Sequence, residues 1–180
     1  MKHLFNSSTG KKLTPDRVAK EIIGFINDDN NCHYKIIIGT DSEASADKTA
    51  DFVTAIVVYR VGRGGRYFWR RIDENKKFHT LRERMWEEAL ISLDMAKKFI
   101  VTLQKNSNDE LSLAVGSDVK QQLVSKLADR VDFEIHVDVG ENGATKAMIQ
   151  ELVGMVRANN FGVKTKPESY AASKVADKHV

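Results

Sequence analysis

Apolar positions in the first third of the chain recur first at helical and then at strand spacing. The segment Thr14-Pro15-Asp16 favours a helix start, and the apolar positions after it predict a helix that ends in the polar run 27–31. Three runs rich in β-branched and aromatic residues follow, at 34–40, 52–61 and 66–72. The Gly-rich segment 62–65 predicts a tight turn between the last two, because Gly tolerates positive φ. Residues 1–14 are expected to be a polar, flexible lead-in.

The rest of the chain predicts alternating helices and strands. An apolar stripe at helical spacing indicates a long helix over 80–105. Later segments predict, in order, a short strand at 111–115, a helix at 119–128, a strand at 133–139, a helix from 144 to about 159, a short strand at 162–166 and a helical segment at 169–178. This order favours an α/β fold with a mixed five-stranded sheet, whose first three strands are antiparallel, flanked by helices. We expect one domain over 15–180, with an extra N-terminal helix and an insert of about 106–131 before the fourth main strand.

Composition narrows the class of protein. A chain of 180 residues with 42% hydrophobic and 29% charged residues is long enough for one folded core. It has no apolar run long enough to cross a membrane, no apolar signal core near the N-terminus, and Cys32 as its single cysteine. We therefore expect a cytoplasmic protein that does not enter a membrane. The net charge of +3 and the pI of about 8.9 are compatible with a nucleic-acid partner without selecting one.

Two carboxylates close predicted strands. Asp41 ends the buried run Lys35-Ile-Ile-Ile-Gly-Thr, and Asp138 ends Ile135-His-Val. If these strands are parallel neighbours, both side chains lie at the carboxyl edge of the sheet, where ligands of open α/β sheets bind. Asp177, in the last helical segment, is a third candidate, because small neighbours let that segment approach the sheet closely. Each Asp also has a local alternative: a turn at Asp41, a loop cap at Asp138 and a surface pair with Lys178 at Asp177.

The long helix offers a fourth carboxylate. At about 100° per residue, Glu88 falls at the border of the apolar stripe, whereas Glu83 and Glu87 point nearly the opposite way. Glu88 is therefore the favoured candidate, although a bent or shifted helix would bring in Glu83, and a solvated helix face is the alternative for Glu88. Four converging carboxylates suit hard divalent cations such as Mg²⁺ or Mn²⁺, which prefer oxygen ligands.

Three segments carry a family resemblance. IIIGTDSEAS, HVDVGENGATKAMIQELVGMV and KTKPESYAASKVAD resemble the YkuK-type bacterial proteins of the ribonuclease H-like superfamily, and the resemblance extends over about 15–180. It implies a ribonuclease H-like fold and a two-metal site that cleaves phosphodiesters. It also implies the roles of four residues: Asp41 as the first-strand Asp, Glu88 as the helix Glu, Asp138 as the fourth-strand Asp and Asp177 as the carboxylate of the final helix. The insert before the fourth strand and the short stretch after Asp177 depart from that pattern.

Basic residues suggest a nucleic-acid contact surface. Arg63, Arg66, Arg70 and Arg71 lie on one predicted hairpin, interleaved with aromatic residues, and Lys166 and Lys174 lie near the C-terminal carboxylate. Arginine binds phosphate and aromatic rings stack on bases, so these residues are candidate contacts to RNA or DNA. The alternative is a solvated edge hairpin whose charges prevent aggregation, with the lysines on a solvated face.

These observations favour a metal-dependent nuclease that uses Mg²⁺ or Mn²⁺ to hydrolyse phosphodiester bonds of RNA or DNA. A non-catalytic nucleic-acid-binding or scaffold domain of the same fold is the alternative. A third hypothesis is a phosphate-handling enzyme in which the loop 140–145 binds an anion through backbone N–H groups. Of the two histidines near the candidate carboxylates, His136 is expected to be packed between layers and His179 to be frayed.

Overall fold

A computed structural model describes residues 4–74, 76–112, 129–140 and 146–180. In chain order, the strands are β1 (Phe5–Ser7), β2 (Lys12–Leu13), β3 (Tyr34–Ala44), β4 (Ala50–Arg60), β5 (Gly64–Glu74), β6 (Val131–His136) and β7 (Gly162–Lys164). The α-helices are α1 (Pro15–Asn27), α2 (Leu81–Ser112) and α3 (Ile149–Ala158). A 3₁₀ turn at Lys146–Met148 precedes α3, and the C-terminal segment forms a π-helical turn at Ala171–Ala176 and a 3₁₀ turn at Asp177–His179.

The strands form one mixed sheet. Within the described residues it has seven strands in the order β2-β1-β5-β4-β3-β6-β7. Strands β3, β4 and β5 are antiparallel neighbours, as the hairpin pattern predicted, while β6 and β7 run parallel to β3. The predicted α/β class, with a mixed sheet whose first long strands are antiparallel, is therefore confirmed. The predicted number of five strands is corrected to seven.

The two additional strands lie in the segment that was expected to be a flexible lead-in. β1 pairs with β5, with Asn6 opposite Trp69, and β2 pairs with β1. Phe5 is fully buried in the main core, and this apolar burial stabilises the short hairpin against β5. Strands of two and three residues are too short to produce a periodic apolar pattern.

Several predicted boundaries shift. Helix α2 continues to Ser112, so Leu111 and Ser112 are helical where a strand was predicted. The rest of that strand, the helix predicted at 119–128, and most of the loop 140–145 lie outside the described residues. Strand β6 ends at His136 rather than at Val139, although Val137 N still bonds Lys164 O at 2.9 Å. The C-terminal segment is helical as predicted, but as π and 3₁₀ turns.

The sheet separates two layers of unequal size. Alternate residues of β3 face opposite sides: Ile36 and Ile38 pack in the main core beneath α1, α2 and α3, whereas Ile37 packs against Ala171 of the C-terminal segment. One strand therefore carries contacts to helix α2 on one face and to the C-terminal segment on the other. Among the described residues, no helix is long and apolar enough to cross a membrane.

Candidate metal centre at the carboxyl edge of the sheet

Asp41 and Asp138 are brought to the same edge by parallel strand pairing. Gly39 of β3 lies opposite His136 of β6, and each Asp follows its paired residue by two positions. Burial raises the pKa of Asp41 to about 6, and the negative charges of Asp138 and Asp177 contribute in the same direction. The Ser42 backbone N–H and Arg84 act in the opposite direction. The three aspartates therefore share one electrostatic environment.

Glu88 joins this environment from helix α2. It is 1% exposed, and burial raises its pKa to about 8, with further contributions from the charges of Asp41 and Asp138. A hydrogen bond from Ser42 and the positive charge of Arg84 partly offset that rise. The helical geometry that favoured Glu88 over its neighbours thus agrees with its buried position on the sheet side of α2.

Helix α2 is fixed on β3 by three residues spaced four apart, which places their side chains on one face. Arg84 Nη1 donates to Ser42 O at 3.1 Å, Ser42 Oγ donates to Glu88 Oε1 at 2.5 Å, and Ser92 Oγ donates to Thr40 Oγ1 at 2.8 Å. Thr40 and Ser92 are each 1% exposed, so the bond between them is a buried polar contact. The three contacts fix the axial position of α2 and hence of the Glu88 carboxylate.

The alternative helix carboxylates have other roles. Glu83 Oε2 accepts a hydrogen bond from His79 N at 2.7 Å, and Glu83 N donates to Thr80 Oγ1 at 3.1 Å. These two bonds cap the start of α2, with Glu83 N bonded to the Thr80 side chain and the Glu83 carboxylate bonded to the N–H of the residue before Thr80. Glu87 forms an ion pair with Lys76 at 2.7 Å. Glu88 is therefore the carboxylate of α2 that reaches the sheet edge.

Asp138 has a lysine partner. Lys166 Nζ lies 2.9 Å from Asp138 Oδ2, and the Asp138 side chain is 15% exposed. Gly140 allows the lysine stem to lie close, because a Cβ there would meet Lys166 Cβ at 3.2 Å. Lys166 N also donates to Val139 O at 2.8 Å. The backbone of Lys166 is therefore fixed beside the loop that carries Asp138.

Two carboxylate oxygens at this edge are buried without a hydrogen-bond partner. Glu88 Oε2 and Asp138 Oδ1 are buried and have no hydrogen-bond partner among the residues that the structure describes. Unpartnered buried carboxylate oxygens are costly unless a cation or donor satisfies them. Across the described ranges, no three His, Cys, Asp or Glu side chains already converge as a metal-ligand group. Asp177 is exposed on its 3₁₀ turn, and its negative charge contributes to the raised pKa of Asp41.

Comparisons with known proteins identify the family of the chain. The family model described as ribonuclease H-like matches residues 17–180. The chain belongs to the ribonuclease H-like family. It is also 29% identical over 175 residues to "Uncharacterized protein YkuK" of Bacillus subtilis (strain 168), a match that covers 97% of this chain and 95% of that protein. The predicted YkuK-type resemblance is thereby confirmed. No solved structure matches the chain.

The predicted basic residues of this ribonuclease H-like protein do not form one track. Arg66 lies over the Phe25 ring of α1 at 4.9 Å, and half-buried Arg70 lies over the Phe5 ring at 5.3 Å. Arg63 pairs with Asp29 at 3.2 Å. These three residues contact α1, β1 or the loop after α1.

The remaining basic candidates lie with the C-terminal segment or at the carboxylates. Arg71 Nη2 donates to His179 O at 3.0 Å, and Arg71 also pairs with Asp51 at 3.6 Å. Lys174 is exposed on the π-helical turn, and Lys166 pairs with Asp138. Lys166 therefore pairs with a candidate carboxylate, while Arg71 contacts the segment that carries Asp177 and Lys174 lies on that segment.

Sequence reasoning missed Ser42, Arg84 and the ordered position of His179. Ser42 directly follows Asp41, and Arg84 precedes Glu88 by one helical turn, so proximity to a candidate was the available signal. His179 was expected to be frayed, but its ring stacks on Trp69 with centroids 4.2 Å apart and planes 8° from parallel. An aromatic partner more than a hundred positions away leaves no local signature in the sequence around His179.

Proposed function

We propose that this protein is a metal-dependent nuclease that hydrolyses phosphodiester bonds of RNA or DNA. The observation that carries the proposal is the shared electrostatic environment of carboxylates from β3, α2 and the loop after β6, together with two buried, unpartnered carboxylate oxygens. Such a donor set suits Mg²⁺ or Mn²⁺. Asp41 and Asp138 are the proposed core ligands, and Glu88 and Asp177 complete the proposed site.

The cation would supply charge stabilisation and alignment at the phosphodiester when bound. The chain's own residues prepare the site for this. Ser42 orients the Glu88 carboxylate through its hydroxyl, and Arg84 holds the Ser42 backbone in place. Lys166 neutralises Asp138, and it is long enough to turn toward a phosphate oxygen once Asp138 has another cationic partner.

Lys166, Lys174 and Arg71 are the proposed phosphate contacts, because they accompany the carboxylate edge and the segment that carries Asp177. Arg63, Arg66 and Arg70 were also candidate nucleic-acid contacts. Their contacts with Asp29, Phe25 and Phe5 favour a structural role instead. Nucleic acid is thus the proposed partner, with the substrate strand passing along the carboxyl edge of the sheet.

One observation favours a second candidate, a non-catalytic nucleic-acid-binding or scaffold domain. Lys166 already pairs with Asp138, and an internal ion pair of this kind is also what a site without a cation would have. The two candidates differ in whether cleavage accompanies binding.

Labelled RNA, DNA and RNA–DNA hybrids, each incubated with Mg²⁺ or Mn²⁺, distinguish the candidates. Cleavage that Asp41→Asn abolishes supports the nuclease. The matched control is Glu43→Gln, since Glu43 is exposed on the same strand two residues further on, and it should cleave normally. Cleavage that survives Asp41→Asn rejects the site assignment. Cation-independent binding without cleavage favours the second candidate.

A further inference from the structure

The C-terminal segment lies directly on the sheet at Gly39. A Cβ added to Gly39 would lie 2.5 Å from Ala172 N and 2.9 Å from Ala171 C, so the two backbones are in contact at this point. Ala171, Ala172 and Ala176 are fully buried. Gly39 precedes Asp41 by two residues, and the C-terminal segment carries Asp177. The contact at Gly39 therefore connects the strand of one candidate ligand with the segment of another.

His136 supplies a side-chain anchor for the same segment. Its Nδ1 accepts a hydrogen bond from Ala171 N at 3.2 Å, and the ring is 1% exposed. The first N–H groups of a helical segment have no acceptor within it, and for Ala171 a side chain supplies one. His136 Nε2 lies 3.3 Å from Glu134 Oε2, which fixes the tautomer that leaves Nδ1 free to accept.

Neighbouring side chains hold the His136 ring and its partner Glu134 in place. Lys35 Nζ donates to Glu134 Oε1 at 2.7 Å, and the Tyr170 ring meets the His136 ring edge-on with centroids 4.8 Å apart. Glu134, Lys35 and Tyr170 therefore hold the imidazole in the orientation that its bond to Ala171 requires. None of the three is among the proposed ligands.

The far end of the segment is also held. The His179 ring stacks on Trp69, and Arg71 Nη2 donates to the His179 carbonyl oxygen at 3.0 Å. Asp177 thus lies between an anchor at Ala171 and an anchor at His179. Its distance from Asp41 depends on both attachments.

We propose that His136 is a positioning residue that sets Asp177 at the carboxylate cluster by anchoring Ala171. The inference rests on the proposed function, because it takes Asp177 as a ligand. His136 is buried and its Nδ1 contacts the backbone of Ala171, so its effect passes through the C-terminal segment. This hydrogen bond joins the end of β6 to that segment.

Two amide substitutions separate the bonds of His136. In His136→Asn the side-chain oxygen lies near the position of Nδ1 and can accept from Ala171, whereas in His136→Gln the amide reaches toward Glu134. We expect His136→Gln to speed hydrogen exchange at the amides of 171–178 and to weaken Mn²⁺ binding by about fivefold, the equivalent of one hydrogen bond. His136→Asn should change both by less than His136→Gln does.

A double-mutant cycle tests the route of the effect. Asp177→Asn should weaken Mn²⁺ binding in titration calorimetry, and adding His136→Gln should cause no further loss, because both act through one ligand. The matched control is His33→Gln, since His33 is an exposed histidine that pairs with Asp132, and it should leave exchange and binding unchanged. In the unmodified protein, Mn²⁺ should slow exchange at 171–178, since docking and binding are linked.

The results that overturn the inference are distinct from those that overturn the proposed function. Unchanged exchange at 171–178 in His136→Gln rejects the positioning role. Unchanged exchange in the unmodified protein also rejects it when calorimetry shows that Mn²⁺ is bound and saturating. Additive losses in the double mutant also reject it. Mn²⁺ binding that survives both Asp41→Asn and Asp177→Asn rejects the metal site instead, and the exchange comparison still decides whether His136 anchors the segment.

Discussion

Ser42 Oγ donates a hydrogen bond of 2.5 Å to Glu88 Oε1, and it does so from the position next to Asp41. One residue thus joins the strand that carries the first proposed ligand to the helix that carries the second. Glu88 Oε2 has no hydrogen-bond partner within the described parts of the chain. Ser42 therefore orients the Glu88 carboxylate so that one oxygen is held and the other is available.

Ser42→Ala should weaken Mg²⁺ or Mn²⁺ binding by about tenfold, as is typical when a residue that orients a metal ligand is removed. Ser42→Thr keeps the hydroxyl and should retain most of the affinity. Titration calorimetry measures both. Ser92→Ala is the contrasting variant: it removes the buried bond to Thr40 and should lower the free energy of unfolding by about 1 kcal/mol. It should reduce cation affinity by less than Ser42→Ala does, because the bond it removes does not involve the Glu88 carboxylate. Equal cation affinities for Ser42→Ala and the unmodified protein would contradict the role of Ser42.

The strand-end aspartates could be predicted because a strand's apolar run and its last carboxylate are adjacent in sequence. Glu88 could be predicted because helical geometry relates it to its own stripe. The Ser42–Glu88 bond could not, since its partners lie 46 residues apart and only the packing of α2 on β3 sets their distance. The pair of Lys166 with Asp138 and the stack of His179 on Trp69 are likewise contacts between elements.

Strands β1 and β2 could not be predicted from the sequence either. β1 is three residues long and β2 is two, and neither has a periodic pattern of its own. They form because Phe5 can be buried beside the edge of β5, which is a property of the assembled sheet. The arginines of the hairpin are divided for a similar reason, because alternate residues of β5 face opposite layers.

The raised pKa of Glu88 predicts that the cation-free protein loses stability as pH rises. A carboxyl whose pKa is about 8 in the folded state and 4.5 in the unfolded chain binds its proton more tightly when folded. Its contribution is complete below about pH 4.5 and is lost as pH rises through about 8, for a total on the order of a few kcal/mol. Asp41 acts in the same direction between its ordinary pKa of 3.8 and about 6.

Urea denaturation at a series of pH values measures this slope. Glu88→Gln should flatten it between about pH 4.5 and 8, because the amide does not titrate in that window. Saturating Mg²⁺ should also flatten it, since a cation favours the deprotonated carboxylates and its affinity rises as they lose protons. A slope that is the same in Glu88→Gln as in the unmodified protein would show that Glu88 is not the group responsible.

Lys166→Met should have opposite effects on cation binding and on nucleic-acid binding. The ammonium group competes with a cation for Asp138, so its removal should raise Mn²⁺ affinity by a few-fold, on the order of one exposed ion pair. The same removal takes away a proposed phosphate contact, so affinity for single-stranded RNA or DNA should fall and its salt dependence should decrease. Calorimetry with Mn²⁺ and fluorescence anisotropy with labelled oligonucleotides measure the two effects.

The control for Lys166→Met is Lys97→Met, which removes an exposed lysine from α2. It should leave Mn²⁺ affinity unchanged and alter oligonucleotide binding only slightly. A fall in Mn²⁺ affinity on Lys166→Met would show that the lysine orients Asp138 for the cation instead of competing with it.

Gly39→Ala should displace the C-terminal segment or destabilise the protein, because the atoms that a new Cβ would meet belong to backbone. Ala172 N at 2.5 Å and Ala171 C at 2.9 Å cannot rotate away as a side chain would. Overpacking of a buried contact typically costs about 1–3 kcal/mol. Urea denaturation should show that loss, and hydrogen exchange should quicken at 171–178 more than elsewhere.

Gly24→Ala provides the opposite expectation from the same chemical change. Gly24 lies within α1, and a Cβ there would meet nothing within 4 Å. Alanine in a helix interior is favoured over glycine by about 0.5–1 kcal/mol, so this variant should be stabilised. If Gly39→Ala were as stable as Gly24→Ala and kept its slow exchange at 171–178, the segment would not be seated on β3 at Gly39. If Gly39→Ala lowers the free energy of unfolding while Gly24→Ala raises it, the backbone contact at Gly39, two residues before Asp41, is what holds the segment that carries Asp177.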